Sequence, residues 1–472
     1  MSKPIEIRNP RTGKYDYVIV PPPEKLLAQQ CNRLRRAQQS WFDLGLNGRI
    51  DALLEFKDSI YSTRDTLTEA LVIDTGRLSV SKLEVDSFLS GIERWCRLGS
   101  KLLQDTEKGT SIPFINLQQT AVPYSLVGVI SPWNFPLLLS TIDTIPALLA
   151  GCAVIVKPSE ITPRFMTPLM NVINNIPQLR DILTFIEGDG KTGAALVDNV
   201  DLVCFTGSVE TGQQIAIAAA ERFIPAFLEL GGKDPAIVLE SADIELATSA
   251  LLWGSVVNSG QSCLSIERIY VHKNIYEDFY HRIVGKAHKV NLAYPTLESG
   301  EIGPIISEKQ AAIINEHLKD AVEKGAVIHC GGEVEEIGGG WWCHPTVITE
   351  VNHDMKIMNE ETFGPIMPIM SFSTVEEAIE LANDTYYGLS AAVFSESQDE
   401  ALGIARQIDA GAISINDAGL TSMMHEAEKS AFKFSGLGGS RMGASALTRF
   451  MRKKAFLIKT DNNLNPWWFN QC

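Results

Sequence analysis

Residues 126–157 read LVGVISPWNFPLLLSTIDTIPALLAGCAVIVK, and the fold turns on how they are read. LVGVI (126–130) and CAVIVK (152–157) are continuous apolar runs of strand length, and a helical pattern from about 136 to 150, closed by Gly151, lies between them. Only a strand covered on both faces loses the alternation of polar and apolar residues, so this is a parallel pair joined by a crossover helix. Asn134 stands out: a polar side chain between Trp133 and Phe135, with Pro132 and Pro136 outside them.

The texture continues downstream. A helix near 163–175 leads to ILTFIE (182–187), then come a short helix near 191–198, DLVCFT (201–206), a helix at about 209–222 and PAIVLE (235–240). A second α/β series includes ERIYVH (267–272), AVIHC (326–330), TVITEV (346–351) and GAISIN (411–416), with helices near 274–289, 307–324, 375–384 and 398–408. The two series predict two open sheets with a boundary near 235–245, and ligands at the carboxyl ends of strands. Upstream, 24–60 and 64–105 carry helical periodicity with many charges and read as surface helices.

Composition narrows the function. The chain has 472 residues, 45% hydrophobic and 21% charged, which is enough for two or three cores. A net charge of −16 argues against nucleic acid, whose affinity comes from Lys and Arg neutralising phosphates. The uncharged run 109–142 is long enough to span a bilayer. Pro123, Pro132 and Pro136 break it, and Gln118, Gln119 and Asn134 are polar, so it is not read as a spanning helix. No apolar signal segment is visible at MSKPIEIRNPRTGKYDY, and the eight cysteines are scattered without metal-site spacing. A cytoplasmic protein with reduced thiols and no metal is expected.

Four short patterns can carry chemistry. Cys263, in NSGQSCLS (258–265), sits among small residues whose backbone N–H groups can lower a thiol pKa. Glu229, in FLELGGKDPAIVL, is a carboxylate flanked by leucines, an environment that suits a general base. FTGSVETG (205–212) follows a strand and opens a helix, letting a cofactor approach the backbone at Gly207 and Ser208. KPSE (157–160) offers Lys157 and Glu160 at a strand's carboxyl edge, where ribose hydroxyls bind. Taken singly, each has a plainer reading: a buried cysteine, a salt-bridged glutamate, a turn, a solvated loop pair.

Together they are specific. PWNFP (132–136), KPSE (157–160), FTGS-x3-G (205–212), LELGGK (228–233), GQSC (260–263) and EETFGP (360–365), in this order, resemble the aldehyde dehydrogenase superfamily, from NPRTGK (9–14) to RMG (441–443). The resemblance implies that Cys263 attacks an aldehyde carbonyl. Asn134 and the Cys263 backbone N–H then stabilise the oxyanion, and Glu229 activates the water that hydrolyses the thioester. It implies a doubly wound sheet binding NAD. Ile130, Trp133, Ser159 and Gly231 would lie on the cofactor side, and Lys157 and Glu160 on the adenosine ribose. Gly207 and Ser208 would lie along the dinucleotide, Glu361 on the nicotinamide ribose and Phe363 beside it. Glu160 favours NAD over NADP, because a carboxylate near the ribose 2′-oxygen repels a phosphate.

The expected fold class is α/β. It comprises a Rossmann-type parallel-sheet cofactor domain (1–104 and 124–235), a second α/β catalytic domain (236–445) and a small β oligomerisation extension (105–123 and 446–472). Within the extension, AFLIK (455–459) would join a neighbouring copy's sheet in a homodimer or homotetramer. The Trp467-Trp468-Phe469 tail would pack on that partner, and membrane association is not expected. Phe135, Leu138, Leu139 and Ile142 share one helical face and, with Leu264, would line a pocket for an apolar aliphatic or aromatic aldehyde. Core packing is the plainer reading of that stripe. One departure from the family pattern is FSGLGGSRMG (434–443), where Arg441 stands in place of a common glycine. The segment 417–433, at the family's substrate entrance, is also untypical. Glu229 speaks against a relative that passes its thioester to coenzyme A. The three residues together speak against a silent binding protein.

Overall fold

In a computed structural model, which describes residues 3–103, 106–112 and 114–460, the stretch 126–157 forms two adjacent parallel strands, Leu126–Ile130 and Ala153–Lys157, every residue of both buried. The helix expected over 136–150 is two helices, Pro136–Thr141 and Thr144–Ala150. Pro146 explains the break: in one continuous helix its ring would clash with the Ile142 carbonyl and one backbone bond would be missing. Gly151 ends the second helix with φ +104°, a left-handed cap that suits glycine.

The first sheet has the order Gly436–Leu437, Ala226–Glu229, Leu202–Thr206, Leu126–Ile130, Ala153–Lys157, Leu183–Phe185. All neighbours are parallel except Gly436–Leu437. Strand order therefore reverses between Leu126–Ile130 and Leu202–Thr206, and a crevice opens at their carboxyl ends. Two pieces differ from expectation. Ala226–Glu229 is a member of this sheet that the sequence pattern does not show, because it is four residues long and only one of them is buried. PAIVLE, read as the end of the first series, forms Asp234–Val238 inside the second sheet. The chain thus crosses between sheets from Glu229 to Asp234, at the near edge of the expected boundary.

The second sheet runs Val327–Cys330, Thr346–Thr349, Ile366–Phe372, Ile266–His272, Asp234–Val238, Ser390–Phe394, Ala412–Ile415, parallel except for the first pair. Its strands show why continuous apolar runs are needed. Ile237, Tyr270 and Ile348 enter one core while Ala236, Val238, Ile269 and Val347 enter another on the opposite face. The helices Glu24–Asp43, Gly45–Ser62, Arg64–Thr75 and Ser79–Leu102 share one core with the first sheet. Ala446, Leu447 and Phe450 return to that same core, so the chain around 436–450 packs with the cofactor-side sheet, although 236–445 was expected in the other domain.

A third, antiparallel sheet is made by Thr106–Gly109, Ile115–Pro123 and Met451–Lys459, with Ile115–Pro123 in the middle. AFLIK therefore pairs with residues 115–119 of its own chain. Trp467, Trp468 and Phe469 lie outside the described residues. Among the described residues no helix is long and apolar enough to cross a membrane, and no cluster of His, Cys, Asp and Glu could hold a metal ion.

Candidate active site

Glu229 ends a strand of the first sheet, and Cys263 comes three residues before the strand Ile266–His272 of the second. The carboxyl edge of one sheet thus meets the amino edge of the other. Between them lies an open cleft lined by Asn134, Glu229 and Cys263 together. Trp133, Gly207, Ser208, Gly231, Glu361 and Phe363 also line it, as do Pro132, Leu139, Thr206, Leu230 and Gln310. The three groups read as catalytic are brought together, and so are six of the ten read as cofactor-binding.

The loop before Cys263 is held in costly backbone geometry. Asn258 (φ +58°), Ser259 (φ +56°) and Gly260 (φ +69°) are consecutive left-handed residues, a conformation that two side-chain-bearing residues adopt only when their surroundings over-determine it. Here they do. Ser259 Oγ donates to the Gly303 carbonyl (2.7 Å), and Gln261 Nε2 donates to the carbonyls of Asn258 and Pro304 (3.1 and 3.2 Å). Gln261 Oε1 accepts from the Ile306 N–H at 2.9 Å. A Cβ at Gly260 would collide with the Gly364 carbonyl, so this position requires glycine.

Asn134 is buried and donates one Nδ2 hydrogen to the Gln261 carbonyl at 3.0 Å, leaving the other for a ligand. Its backbone carbonyl accepts from Asn258 Nδ2 (3.2 Å) and from the buried Arg77 Nη2. Arg77 pairs with Glu84 at 3.1 Å, and Glu84 accepts the N–H groups of Leu137 and Leu138 at the start of the helix that follows Asn134. Arg77 and Glu84 are site residues the sequence reading missed. Nothing local marks them, since Arg77 lies in the turn before the helix Ser79–Leu102 and Glu84 on that helix, far upstream of Asn134 in the chain.

The remaining cofactor candidates lie along the adjoining strand ends. Lys157 Nζ reaches Glu160 at 3.3 Å, and Ser159 Oγ accepts from the Ile161 N–H. A Cβ at Gly193 would find only Ile130 and Lys157, both at 3.7 Å, so the groove above those two residues stays open. Ser208 caps the helix Val209–Glu221 by accepting from the Thr211 N–H. A reversal crevice, an open groove, a helix N-terminus and a Lys–carboxylate pair are the donor and acceptor set a dinucleotide needs. Trp133 and Phe363 meet edge to face, ring centroids 5.4 Å apart, and wall one side.

Phe135, Leu138, Leu139 and Ile142 are half-buried while Leu137, Ser140 and Thr141 between them are buried. The stripe belongs to none of the packed cores. Leu139 reaches the cavity wall; Phe135 lies under the Arg77 guanidinium, 5.0 Å from its ring centre. Leu264 is half-buried beside the nucleophile loop, its N–H on Ser262 Oγ. Arg441 is buried against Asp143 at 2.9 Å.

Burial, and then Glu361, Asp234 and Glu229, push the Cys263 thiol up to about 12, with Lys429 pulling the other way. Glu361 is pushed up to about 8 by burial and the neighbouring Glu267, although it accepts from the Gly232 N–H at 3.2 Å.

The sequence model described as the aldehyde dehydrogenase family matches residues 1–456. The solved structure of "Putative Aldehyde Dehydrogenase PutA" from Anabaena variabilis is similar over 99% of this chain and 100% of that one, with 70% identity and a TM-score of 0.98. Among curated proteins, 4,4'-diapolycopene aldehyde oxidase of Methylomonas sp is 36% identical over 83% of this chain and 74% of its own. "Putative succinate-semialdehyde dehydrogenase [NADP(+)]" of Mycolicibacterium smegmatis is 34% identical over 92% of this chain and 84% of its own.

Proposed function

The chain belongs to the aldehyde dehydrogenase family, and from that footing we propose that it is a hydrolytic, NAD-dependent member acting on an apolar aldehyde. Oxidation of an aldehyde to a carboxylic acid is the family's reaction, and the chain is an oxidoreductase of that type. The observation that carries the finer reading is the meeting of Asn134, Glu229 and Cys263 in one cavity.

In this reading the Cys263 thiol passes its proton to water and its sulfur adds to the carbonyl carbon. The free Nδ2 hydrogen of Asn134 and the Cys263 backbone N–H hold the oxyanion that forms. The dinucleotide supplies one thing, an acceptor for the hydride lost from the substrate carbon. Glu229 then takes a proton from water, and the resulting hydroxide displaces the Cys263 sulfur to give the acid and the thiol. Retention of Glu229 supports hydrolysis over transfer to coenzyme A. The sheet-reversal crevice supports dinucleotide binding, and the Glu160 carboxylate supports NAD. The M. smegmatis relative, named for NADP(+), favours the phosphorylated cofactor as a second reading.

The accessible stripe Phe135–Leu138–Leu139–Ile142, with Leu264, supports an apolar substrate, as does the diapolycopene in one relative's name. An acidic aldehyde is the second reading, favoured by Lys429 near the thiol and by the succinate semialdehyde in the other relative's name. A cytoplasmic location and a homo-oligomer belong to the same proposal.

Purified protein with NAD or NADP and a panel running from aliphatic and aromatic aldehydes to succinate semialdehyde tests it. Reduced NAD and free acid are expected, highest with apolar members. Cys263→Ala should abolish turnover, and Glu229→Gln should allow one burst followed by slow cycles. Turnover in Cys263→Ala, or none with any aldehyde in the wild type, rejects the reading.

A further inference from the structure

The strand Ile266–His272 carries two charged residues, Glu267 and Arg268, at positions that are fully buried. Arg268 is satisfied by backbone: its guanidinium donates to the carbonyls of Lys233, Leu381 and Ala382. Glu267 has no part in the chemistry proposed for the cleft, and its place in the ladder is irregular. Asp234 pairs with Ile266 and Pro235 with Arg268, so Glu267 is the extra residue of a bulge. A bulge re-aims a side chain, and this one turns the Glu267 carboxylate onto EETFGP. Its Oε2 accepts the Thr362 N–H and its Oε1 the Phe363 N–H, both at 2.7 Å. The counter-charge comes from a third motif. Lys233, the last residue of LELGGK, is buried and donates from Nζ to Glu267 Oε2 at 2.6 Å and to Thr362 Oγ1 at 3.0 Å.

What the pair holds is the turn that presents Glu361 and Phe363 to the cleft. Phe363 has φ +54°, a left-handed conformation that a side-chain-bearing residue keeps only under constraint. Gln310 Nε2 donates to the Thr362 carbonyl at 2.8 Å, so both backbone groups of Thr362 are fixed. Glu361 lies so close to Gly231 that a Cβ there would sit 2.6 Å from its carboxylate. Burying two charges gains little stability over an apolar pair of similar size. A carboxylate, however, has two acceptor oxygens and can take both turn N–H groups at once, which no apolar side chain does.

We propose that Glu267 and Lys233 are positioning residues for the dinucleotide: together they hold the Glu361–Phe363 turn in the geometry that receives its nicotinamide half. This inference rests on the reading of Glu361 as a ligand of the nicotinamide ribose.

The test is calorimetric binding to the wild type and to the double variant Lys233→Met with Glu267→Gln. The ligands are NAD or NADP, whichever the wild type takes, and the matching fragment that ends at the pyrophosphate, ADP or ADP 2′-phosphate. Removing both charges together leaves no lone charge buried. It also leaves the field on Glu361 nearly balanced, since Glu267 and Lys233 push its carboxyl in opposite directions. The Gln side chain offers one acceptor oxygen where the carboxylate offered two. The dinucleotide Kd should rise about tenfold, the weight of one well-made hydrogen bond. The fragment, which does not reach the turn, should bind as tightly as before. An unchanged dinucleotide Kd, or an equal loss for both ligands, overturns the proposal. If the double variant does not fold, Glu267→Asp keeps the charge pair and shortens its reach by a methylene. It should weaken the dinucleotide and spare the fragment, and an unchanged dinucleotide Kd overturns the proposal. Glu361→Ala separates the two readings. If it leaves dinucleotide binding intact, the ribose reading fails and this inference with it. If it weakens the dinucleotide while the double variant does not, this inference alone fails.

Discussion

Glu361 shows how one residue can stand in the right motif and still owe its chemistry to its surroundings. EETFGP places it in the sequence, but burial and Glu267 push its carboxyl up to about 8 from an ordinary 4.5. The unfolded chain ionises it from about pH 4.5, while the folded protein holds the proton until about pH 8. The stability it contributes is therefore full below the lower value and is lost as pH rises through that window. Relative to the wild type, Glu361→Gln should gain thermal stability steadily between pH 5 and pH 8 in the cofactor-free protein. Parallel melting-temperature curves for the two proteins would show that Glu361 ionises freely in the folded state. The chemical identities of Asn134, Glu229 and Cys263 were legible for a different reason. Each is an unusual residue type in its local setting: an amide among aromatics, a carboxylate among leucines, a thiol among small residues.

At the scale of elements, local periodicity showed most strands and helices, because a buried parallel strand must be apolar on both faces. It failed where an element borrows its stability from neighbours. Ala226–Glu229 is half-exposed and four residues long, so it has no apolar signature. Pro146, a helix breaker within the expected helix, divides it into Pro136–Thr141 and Thr144–Ala150. The nucleophile loop and the Asn134 turn depend on elements far away in the chain, Arg77 among them. Arg77→Met should leave Glu84 buried without its counter-charge, at a cost of about 3–5 kcal/mol by denaturant unfolding. Arg77→Met with Glu84→Leu should recover most of that stability, since an apolar pair needs no neutralisation. Turnover should stay low in both variants, because the Asn134 carbonyl keeps only Asn258 of its two donors. Full activity in the double variant would remove Arg77 from the positioning of Asn134.

For the whole molecule, the third sheet raises the question of assembly. Ile112, Phe114, Phe456, Leu457 and Ile458 are exposed on or beside it, Leu457 at 74%. An exposed apolar sheet with an open edge is a surface that soluble proteins cover. As part of the proposed homo-oligomer, the wild type should sediment as a dimer or tetramer. Leu457→Asp should sediment as a smaller species with an unchanged near-UV spectrum. A monomeric wild type, or a variant of unchanged size, would place the interface elsewhere or remove it.

By itself the sequence determined the alternation of strand and helix, the order of the motifs and the three groups that meet in the cavity. Each of these is encoded by neighbours within a few residues, whose spacing reflects the local periods of helix and strand. Only the tertiary structure decided which strands share a sheet, that Leu139 reaches the cavity wall while Phe135 lies under Arg77, and which charges surround the site. Arg77 reaches Asn134 across 57 residues and Arg441 reaches Asp143 across 298. Pairings of that separation leave no periodic trace. They exist because burial makes an unpaired charge too costly to keep, and the fold alone determines which partner is near.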